Sequence, residues 1–418
     1  MGIGGIMDYL RNDADRIVAA GIHAVLPDAA VKRAIKDMPK PEGKLILVAI
    51  GKAAWQMASA ACDVLDVDDG IVITKYDHVK EAIPGVTCCE AGHPVPDQNG
   101  FDAAAKAVEL VSGLTADDMV LFLVSGGGSA LFESPVVSGD ELKDITSQLL
   151  ACGADIVEMN TIRKRLSNVK GGRFAKICSP AKVFSIVLSD IIGDPLDMIA
   201  SGPAYPDTST CEQAQAIVAK YGLKLSEAAS DALKVETPKS LDNVETMVTG
   251  SVRELCKAAA AQCVVLGYEP VILTDRLDCE ARDAGKMLGD KICENAASAD
   301  KPLAFIAGGE TVVHLTGTGL GGRNQELALA AAPVIAGKNA AVFSFGSDGT
   351  DGPTDAAGGY VDGDSLALLT EKGLDVSEVL ADNDAYHALK KVNGLIMTGP
   401  TGTNVNDVAV ALLRPQNK

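Results

Sequence analysis

The chain has 418 residues, two to three times the roughly 100–200 residues of a typical domain, so two domains are expected. Hydrophobic residues make up 47% and charged residues 22%, a composition that supports large cores and excludes an intrinsically disordered protein. The formal net charge of -19 disfavours nucleic acid and anionic membranes as partners, because both repel an acidic protein at long range.

Cysteine usage and the N-terminal sequence indicate where the protein works. The ten cysteines include no C-x-x-C pair, which is typical of reduced thiols in a reducing compartment. The first residues lack a basic segment followed by a long apolar run, so no secretory signal is expected. No stretch approaches the ~20 apolar residues of a spanning helix. These features predict a cytoplasmic protein without a membrane partner.

Short apolar runs that end at a glycine or a polar residue recur along the chain. Continuous runs of this length are typical of strands buried on both faces, and therefore of parallel strands covered by helices. Eight runs are predicted as strands: Leu45–Ile50, Gly70–Thr74, Met119–Val124, Val183–Leu188, Pro270–Thr274, Leu303–Ala307, Ala341–Phe345 and Leu395–Thr398.

Alanine-rich helical patterns separate these runs, at Ala53–Leu65, Asp102–Leu110, Ser251–Leu266, Ala281–Ala297 and Asn324–Ile335. The alternation predicts an α/β fold with two doubly wound, Rossmann-like lobes, mostly parallel sheets and an interdomain cleft. The most polar break, Val235–Val244, divides the chain into an N-terminal domain, 1–240, and a C-terminal domain, 241–418. Residues 1–41 form a helical lead-in whose lobe the sequence leaves open.

A glycine-rich loop follows the third predicted strand and consists of Ser125, Gly126, Gly127, Gly128 and Ser129. Three glycines allow successive backbone N–H groups to point at one anion, and a following helix N-terminus adds partial positive charge. The pattern predicts a phosphate-binding loop, although it lacks the Walker signature. A tight turn that needs positive φ angles is the alternative.

A basic run extends from Asn160 to Lys176 and contains six lysines and arginines without an acidic residue. In so acidic a chain this run predicts an anion site, for which Arg163 and Lys170 are the candidates. A small acidic substrate or the phosphates of a nucleotide suit it better than nucleic acid. The alternative is a solvated helix face, because most runs of charged residues lie on such faces.

Two acidic loops follow predicted strands. Asp190 comes just after Val183–Leu188, behind Ser189, where a carboxylate can hold Mg²⁺ or accept a proton from a substrate hydroxyl. Capping of the following turn is an equally good interpretation of this residue. The stretch Gly346–Asp355, which contains Asp351, repeats the theme later in the chain without the spacing of an EF-hand, and a plain Gly/Pro loop is the alternative.

The stretch Gly317–Gly322 matches the dinucleotide pattern G-x-G-x-x-G, follows the apolar run Val312–Leu315 and precedes a helix. A nicotinamide-dependent oxidoreductase is therefore an alternative. Against it, the next acid at a strand end is Asp348, farther along than the roughly 20 residues expected for a ribose-binding acid. Arg323, directly after the last glycine, instead suits a carboxylate or a phosphoryl group in transfer.

Nine segments in this order resemble the glycerate 2-kinases of the MOFRL type, and the resemblance covers about residues 51–413. They are GKAAWQMA from Gly51, AGHPVPDQNG from Ala91, LVSGGGSALFESP from Leu123, NTIRKRLSNVKGGR from Asn160, LSDIIGDPLDMIASGP from Leu188, GGETVV from Gly308, GGRNQELALA from Gly321, SDGTDGPTDAAGG from Ser347 and TGTNVNDV from Thr401.

The resemblance implies two α/β domains, the second of the MOFRL type, and a kinase that uses ATP and Mg²⁺ to phosphorylate D-glycerate at O2, which gives 2-phosphoglycerate and ADP. The family's catalytic positions fall on Lys52 and Arg323. Members of this group have also been labelled hydroxypyruvate reductases, which keeps an NAD(P)-dependent reductase as the alternative. A non-catalytic protein that binds a nucleotide or a hydroxy acid is the third candidate.

Further roles are expected on this basis. The glycine-rich loop and Lys170 would bind the nucleotide, with Mg²⁺ near Asp190 or Glu310. Arg163 and Asp351 would bind the substrate. Asp190 is the first candidate to take the hydroxyl proton and Asp351 the second. The partners are then a nucleotide and D-glycerate, and a homo-oligomer is left open.

Overall fold

The computed structural model describes residues 4–415, so the outermost residues of the two predicted domains lie outside the described part. Within it the chain forms twelve strands: β1 Leu45–Ile50, β2 Asp69–Lys75, β3 Val86–Ala91, β4 Met119–Val124, β5 Lys182–Leu188, β6 Val244–Gly250, β7 Glu269–Leu277, β8 Leu303–Gly309, β9 Ala340–Gly346, β10 Gly358–Asp362, β11 Leu395–Ile396 and β12 Asp407–Leu413.

The described residues also form sixteen α-helices, and none of these combines the length and the apolar character that crossing a bilayer requires. The helices are α1 Gly4–Val25, α2 Pro27–Ala34, α3 Ala54–Cys62, α4 Gln98–Val111, α5 Gly128–Leu131, α6 Gly139–Ala151, α7 Ile156–Arg165, α8 Arg173–Cys178, α9 Cys211–Tyr221, α10 Glu227–Ala232, α11 Val252–Val265, α12 Ala281–Asn295, α13 Arg323–Ile335, α14 Ser365–Glu371, α15 Val376–Ala381 and α16 Ala385–Lys391.

The first sheet has the strand order β3-β2-β1-β4-β5-β6, the order of a doubly wound nucleotide-binding fold. Its pairings β2–β3, β1–β2, β1–β4 and β4–β5 are all parallel. Along β1, Ile46, Val48 and Ile50 enter one hydrophobic core, and the alternate residues enter a second core on the opposite face. Burial on both faces explains the continuous apolar runs and confirms the predicted α/β class.

The second sheet has the order β11-β10-β9-β12-β8-β7 and is mixed. Only β7 and β8 pair in parallel, whereas β12 runs antiparallel to both β8 and β9, and β10 runs antiparallel to β9 and β11. The expectation of mostly parallel strands therefore holds for the first sheet and needs correction for the second. The cause is that two strands, β10 and the fully buried β12, each run opposite to both of their neighbours.

The chain divides into two compact units at positions that differ from the predicted domains. The first unit comprises Pro27–Ser189 and Asp194–Thr249, and the second comprises residues 4–26, Asp190–Gly193 and residues 250–415. The predicted boundary after residue 240 shifts to residue 249, because β6 belongs to the first sheet. The helical lead-in is also split, since α1 belongs to the second unit and α2 to the first.

The amphipathic helix α1 belongs to the second unit because its apolar face packs there. Its apolar face, with Leu10 and Ile17, lies in one core with Val252 and Leu255 of α11. A buried hydrogen-bond network adds to this packing: the Tyr268 hydroxyl donates to Asp13 over 2.7 Å, and Arg414 donates to the same carboxylate over 2.8 Å.

Candidate functional site

The turn after β1 and the turn after β4 meet in the first unit. These neighbouring parallel strands are followed by segments that wind to opposite sides of the sheet, which is where open α/β sheets bind ligands. Lys52 directly follows β1, and its backbone N–H donates to the carbonyl of Gly126 over 2.9 Å. The exposed Lys52 side chain and the glycine-rich loop, both predicted to contact phosphate groups, are therefore brought together.

Gly127 is a point of close approach in this loop. Its φ of +85° lies in the left-handed region, which disfavours other residues. A Cβ atom at this position would lie 3.1 Å from Cγ of Lys52 and 3.1 Å from Nε2 of His93. The Lys52 and His93 side chains thus lie against the glycine backbone. No function was predicted for His93, although it stands in one of the family segments.

His93 is half-buried among positive charges. Burial, together with the charges of Lys52, Lys75 and His78, holds the pKa of its imidazole below the usual value. The ring is therefore neutral at neutral pH, and the lysine charges are left for an anion. In a chain with a net charge of -19, a local excess of cations at a glycine-rich turn marks an anion site.

The two serines of the loop have different roles. The Ser125 hydroxyl donates to the carbonyl of Ile50 over 3.2 Å and accepts from the N–H of Ala53 over 3.1 Å. It is almost fully buried, so it ties the two turns together, which corrects its prediction as a nucleotide-binding residue. The Ser129 hydroxyl lies 2.9 Å from that of Ser201 and is part-buried.

Arg163 is the residue of the basic run that reaches the glycine-rich loop. Its Nη2 donates to the carbonyl of Ser129 over 3.2 Å. Its Nε is buried and has no hydrogen-bond partner among the described residues. A half-buried guanidinium with a buried, unused donor is typical of a site that an anion completes, and the binding role of Arg163 stays a prediction that this geometry fits.

Lys170 does not have the predicted role. Its side chain is fully buried, and its Nζ lies 2.5 Å from Oε2 of Glu133 and 3.0 Å from the carbonyl of Phe132. Burial lowers the pKa of this ammonium to about 8, against the opposing effect of Glu133. A buried lysine whose charge is already neutralised offers nothing to a nucleotide, so Lys170 is a structural residue.

Other members of the basic run are structural as well. Lys164 and Arg165 are buried on α7, and both form ion pairs with the buried Asp207. Arg173 donates to the carbonyls of Lys164, Arg165 and Ser167 at the end of the same helix. The charge run thus stabilises the turn after α7, and it leaves Arg163 directed at the loop.

Asp190 follows β5, the neighbour of β4 in the first sheet, and is half-buried. The segment after it contains five residues with positive φ: Gly193, Asp194, Ala200, Ser201 and Gly202. Non-glycine residues in this region carry strain that is common at binding sites. Asp190 therefore begins a segment with the backbone properties expected beside a ligand.

A second cluster of charges surrounds Arg323 in the second unit. Arg323 is the first residue of α13, and its Nε and Nη2 donate to Asp407 over 2.5 and 3.1 Å. Its Nη1 donates to Glu310 over 2.7 Å. Burial alone would lower the pKa of this guanidinium, but the hydrogen bonds to Asp407 outweigh that effect and raise it. Asp407 was missed, although its segment was among the nine that carried the resemblance.

Asp351 lies beneath the same helix. One of its carboxylate oxygens accepts from the N–H of Asn324 over 3.1 Å, and the other accepts from the N–H of Gln325 over 2.9 Å. The side chain is nearly inaccessible, so Asp351 caps the N-terminus of α13 and thereby positions Arg323. This geometry corrects both of its predicted roles, substrate binding and proton acceptance.

The stretch Gly317–Gly322 does not form a dinucleotide fingerprint. Its amides already have protein acceptors: Gly317 donates to Asn383 over 2.9 Å, Thr318 to Asp382 over 3.0 Å and Leu320 to Asp384 over 3.0 Å. A Cβ atom at Gly317 would lie 2.3 Å from Cα of Asp382, so that glycine allows two backbones to touch.

The apolar run before these glycines does not form a strand either. It makes one isolated bridge at Val312, and Leu315 is 81% exposed. A dinucleotide fingerprint needs a buried strand that ends at the phosphate-binding turn. The structural context of the motif is therefore absent at residues 312–322.

Magnesium fits the carboxylate donors available here. Among residues 9–415 no three His, Cys, Asp or Glu side chains gather as a metal cage. Mg²⁺ is usually held by one or two carboxylates together with phosphate oxygens and water, so a nucleotide kinase needs no such cage. Glu310 presents a carboxylate that is 46% exposed, although one of its oxygens is hydrogen-bonded to Arg323.

Two protein families match the chain. Residues 13–234 match the family described as "Domain of unknown function (DUF4147)", and residues 303–407 match the MOFRL family. Lys52, the glycine-rich loop and Arg163 fall in the first match, and Arg323 and Asp407 fall in the second.

Three similar proteins cover nearly the whole chain. A protein named D-glycerate 2-kinase from Thermotoga maritima is 50% identical over 97% of this chain and 99% of its own length. A glycerate 2-kinase from Pyrococcus horikoshii is 41% identical, with 97% of each chain covered. A protein named putative hydroxypyruvate reductase from Agrobacterium vitis is 39% identical over 95% of this chain and 93% of its own.

Crystal structures support the same relationship. That of the Thermotoga maritima glycerate kinase has a TM-score of 0.92 and 49% identity, and it covers 97% of this chain and 100% of the other. That of a Pyrococcus horikoshii protein has a TM-score of 0.93 and 40% identity, with 97% and 99% covered.

Proposed function

The chain belongs to the glycerate kinase family, and on that premise we propose that it is an ATP-dependent kinase that phosphorylates D-glycerate at O2 and releases 2-phosphoglycerate and ADP. The observation that carries the proposal is the position of Lys52, whose side chain lies against the Gly127 turn where two parallel strands end. A lysine beside a phosphate-binding turn suits phosphoryl transfer, which depends on positioning and charge neutralisation more than on covalent chemistry.

In this proposal the first unit binds phosphate. The backbone N–H groups of Gly127 and Gly128 would donate to phosphate oxygens, and the unused Nε of Arg163 would complete the site. Lys52 would stabilise the negative charge on the phosphoryl group in transfer. Mg²⁺ near Asp190 or Glu310 would add its charge to that neutralisation when bound.

Arg323 and Asp190 have the remaining roles in this proposal. Arg323 presents a planar cation that can bind a carboxylate or a phosphoryl group through two N–H groups. Asp190 would accept the proton of the substrate hydroxyl, since both oxygens of Asp351 accept hydrogen bonds from α13. The ten unpaired cysteines and the metabolite substrate support a cytoplasmic location.

The decisive experiment compares two reactions with the purified protein. We expect ADP release that requires both D-glycerate and Mg²⁺. The product should feed purified enolase directly, because enolase acts on 2-phosphoglycerate. If enolase acts only after phosphoglycerate mutase is added, the product is 3-phosphoglycerate and the proposed position of transfer is wrong.

The alternatives give different results in the same assay. Oxidation of NADH or NADPH with hydroxypyruvate, without formation of ADP, would establish the reductase. If neither reaction occurs but D-glycerate or ATP raises the melting temperature, the protein is a binding protein. The hydrogen-bonded amides of Gly317–Leu320 make the reductase the less favourable of these outcomes.

A further inference from the structure

The two carboxylates on Arg323 differ in how they hold it. Asp407 accepts from Nε and Nη2, so its two oxygens face two guanidinium nitrogens side by side. Glu310 accepts from Nη1 through one oxygen. The Asp407 side chain is 10% exposed and that of Glu310 is 46% exposed. One pair is two-pronged and buried, and the other is single and solvated.

Asp407 has little freedom to move. It is the first residue of β12 and is paired with Gly309 of β8 on one side and Gly346 of β9 on the other. Its backbone is therefore fixed at the centre of the second sheet, and a two-pronged contact from that point fixes the plane of the guanidinium. Burial disfavours its charge, so removal of Arg323 would leave an uncompensated buried carboxylate.

Glu310 can leave Nη1 at small cost. It lies just after β8, where its backbone N–H donates to Leu277 over 2.7 Å, so its main chain is held while its side chain extends into solvent. Single ion pairs between exposed side chains contribute little to stability, because water and dissolved ions compete for both partners. Its place on Nη1 is therefore open to exchange.

The charge of the Arg323 cluster favours an exchange of Glu310 for a substrate oxyanion on Nη1. One arginine and two carboxylates give this group a net negative charge, which repels an anionic substrate. We propose that Asp407 is the fixed partner that orients Arg323. In the absence of substrate, Glu310 occupies Nη1, and it leaves when an oxyanion of the substrate binds there. This inference rests on the proposed function. The oxyanion is the carboxylate of the hydroxy acid or a phosphoryl group.

A matched pair of substitutions tests this proposal. Glu310→Gln and Asp407→Asn each turn a carboxylate into an amide of the same size beside the same arginine. Affinity for D-glycerate and for inorganic pyrophosphate is measured by calorimetry on the full chain in EDTA, which excludes any effect through Mg²⁺. We expect Glu310→Gln to tighten binding by about two- to fivefold, and Asp407→Asn to weaken it by about tenfold or more.

Opposite directions support the proposal. Tighter binding by both variants would overturn it, because removal of a negative charge alone would then explain the result. A Glu310→Gln variant with unchanged affinity for both probes would also overturn it. Tightening for D-glycerate alone identifies the carboxylate as the exchanging group, and tightening for pyrophosphate alone identifies the phosphoryl group. Glycerol, which lacks the carboxylate, serves as the neutral control.

Two further variants keep the test decisive. In an Arg323→Gln background, Glu310→Gln should no longer change affinity, since the cation that Glu310 occupies is gone. If Asp407→Asn fails to fold, this comparison decides the exchange by itself. If the wild type binds the probes but forms no ADP, the proposed function alone is contradicted. If the wild type is an active kinase and Glu310→Gln leaves its affinity for both probes unchanged, this inference alone is contradicted. If the wild type binds neither probe, both are overturned.

Discussion

The Nζ atom of Lys170 lies 2.5 Å from Oε2 of Glu133, and neither side chain is exposed to solvent. The other carboxylate oxygen of Glu133 is buried without a hydrogen-bond partner among the described residues. A buried ion pair contributes little net stability, but the loss of one partner leaves an uncompensated charge in a medium of low polarity. The pair is therefore sensitive to single substitutions.

We expect Lys170→Ala to lower the free energy of unfolding by about 3–5 kcal/mol, because Glu133 would remain buried and unpaired. Urea denaturation followed by circular dichroism measures this loss. The matched control is Lys176→Ala, an exposed lysine of the same basic run. The double substitution Glu133→Gln with Lys170→Met should recover most of the stability. A stable Lys170→Ala variant with a raised KM for ATP would instead support the original nucleotide role.

Lys52→Ala should lower kcat and kcat/KM by similar factors, on the order of 10²–10³, since the ammonium is expected to act on charge that develops in the transition state. Steady-state kinetics at varied D-glycerate and ATP measure both constants. Lys80→Ala, at a position beside the ring of Trp55, provides a control in the same unit. A change confined to KM would reduce Lys52 to ordinary substrate binding.

Arg323→Lys should lose most of the activity, by on the order of 10³-fold if the guanidinium acts on the phosphoryl group, because a lysine cannot make the two-pronged contact with Asp407 and still present a further N–H group to the substrate. ADP formation at saturating D-glycerate is compared with a melting curve, so that misfolding is excluded. Arg16→Lys, an exposed position of α1, is the control. Near-normal turnover by a folded variant would remove Arg323 from the catalytic residues.

Gly317→Ala should destabilise the protein by about 1–3 kcal/mol, because the new Cβ atom would lie 2.3 Å from Cα of Asp382. Gly100→Ala is the control, since a Cβ atom there makes only ordinary contacts at 3.4 Å or more. Thermal melting of the two variants tests the packing role of Gly317. A Gly317→Ala variant of unchanged stability that binds NADH more weakly than the wild type would revive the dinucleotide interpretation.

Asp351 should make stability depend on pH between about 4 and 7. Burial raises the pKa of its carboxyl from 3.8 to about 7, against the opposing hydrogen bonds from Gln325 and Asn324. Between these two values the folded chain binds more protons at this site than the unfolded chain does. The free energy of unfolding therefore falls as pH rises from about 4 to about 7 and is level above, with an upper limit of about 4 kcal/mol.

Denaturation at several pH values checks this slope. Asp351→Asn should flatten it, whereas Asp300→Asn, at an exposed position of the same unit, should leave it unchanged. An Asp351→Asn variant with the wild-type slope would show that this carboxyl does not titrate between pH 4 and 7.

Much of the first sheet was predictable because burial on both faces leaves a direct trace in sequence. The runs predicted for β1 and β4 match the strands residue for residue. The same trace did not suffice for the second sheet: β12 is equally apolar and buried on both faces, but it was not among the predicted strands, and it runs antiparallel to its neighbours. Strand direction depends on the route of the chain between strands, which periodicity does not record.

The positions of candidate site residues were predictable from the sequence where a residue follows a strand. The prediction was misleading where a run of charges was the only signal. Lys52 and the glycine-rich loop meet because the turns after parallel neighbours share one edge of the sheet. Lys170 resembled Arg163 in sequence, but only the packing of Glu133 distinguishes a buried counterion from a binding residue. Asp407 stands among apolar residues of β12, and its pairing with Arg323 joins positions far apart in the chain.

The placement of α1 has a consequence for the order of folding. During synthesis the ribosome releases α1 first, whereas its packing partners on α11 emerge only after residues 27–249. The intervening unit contains its own hydrophobic cores and can fold in that interval. The apolar face of α1 therefore stays without these partners at least until α11 has left the ribosome, so we expect the unit formed by residues 27–249 to fold before the unit that contains α1.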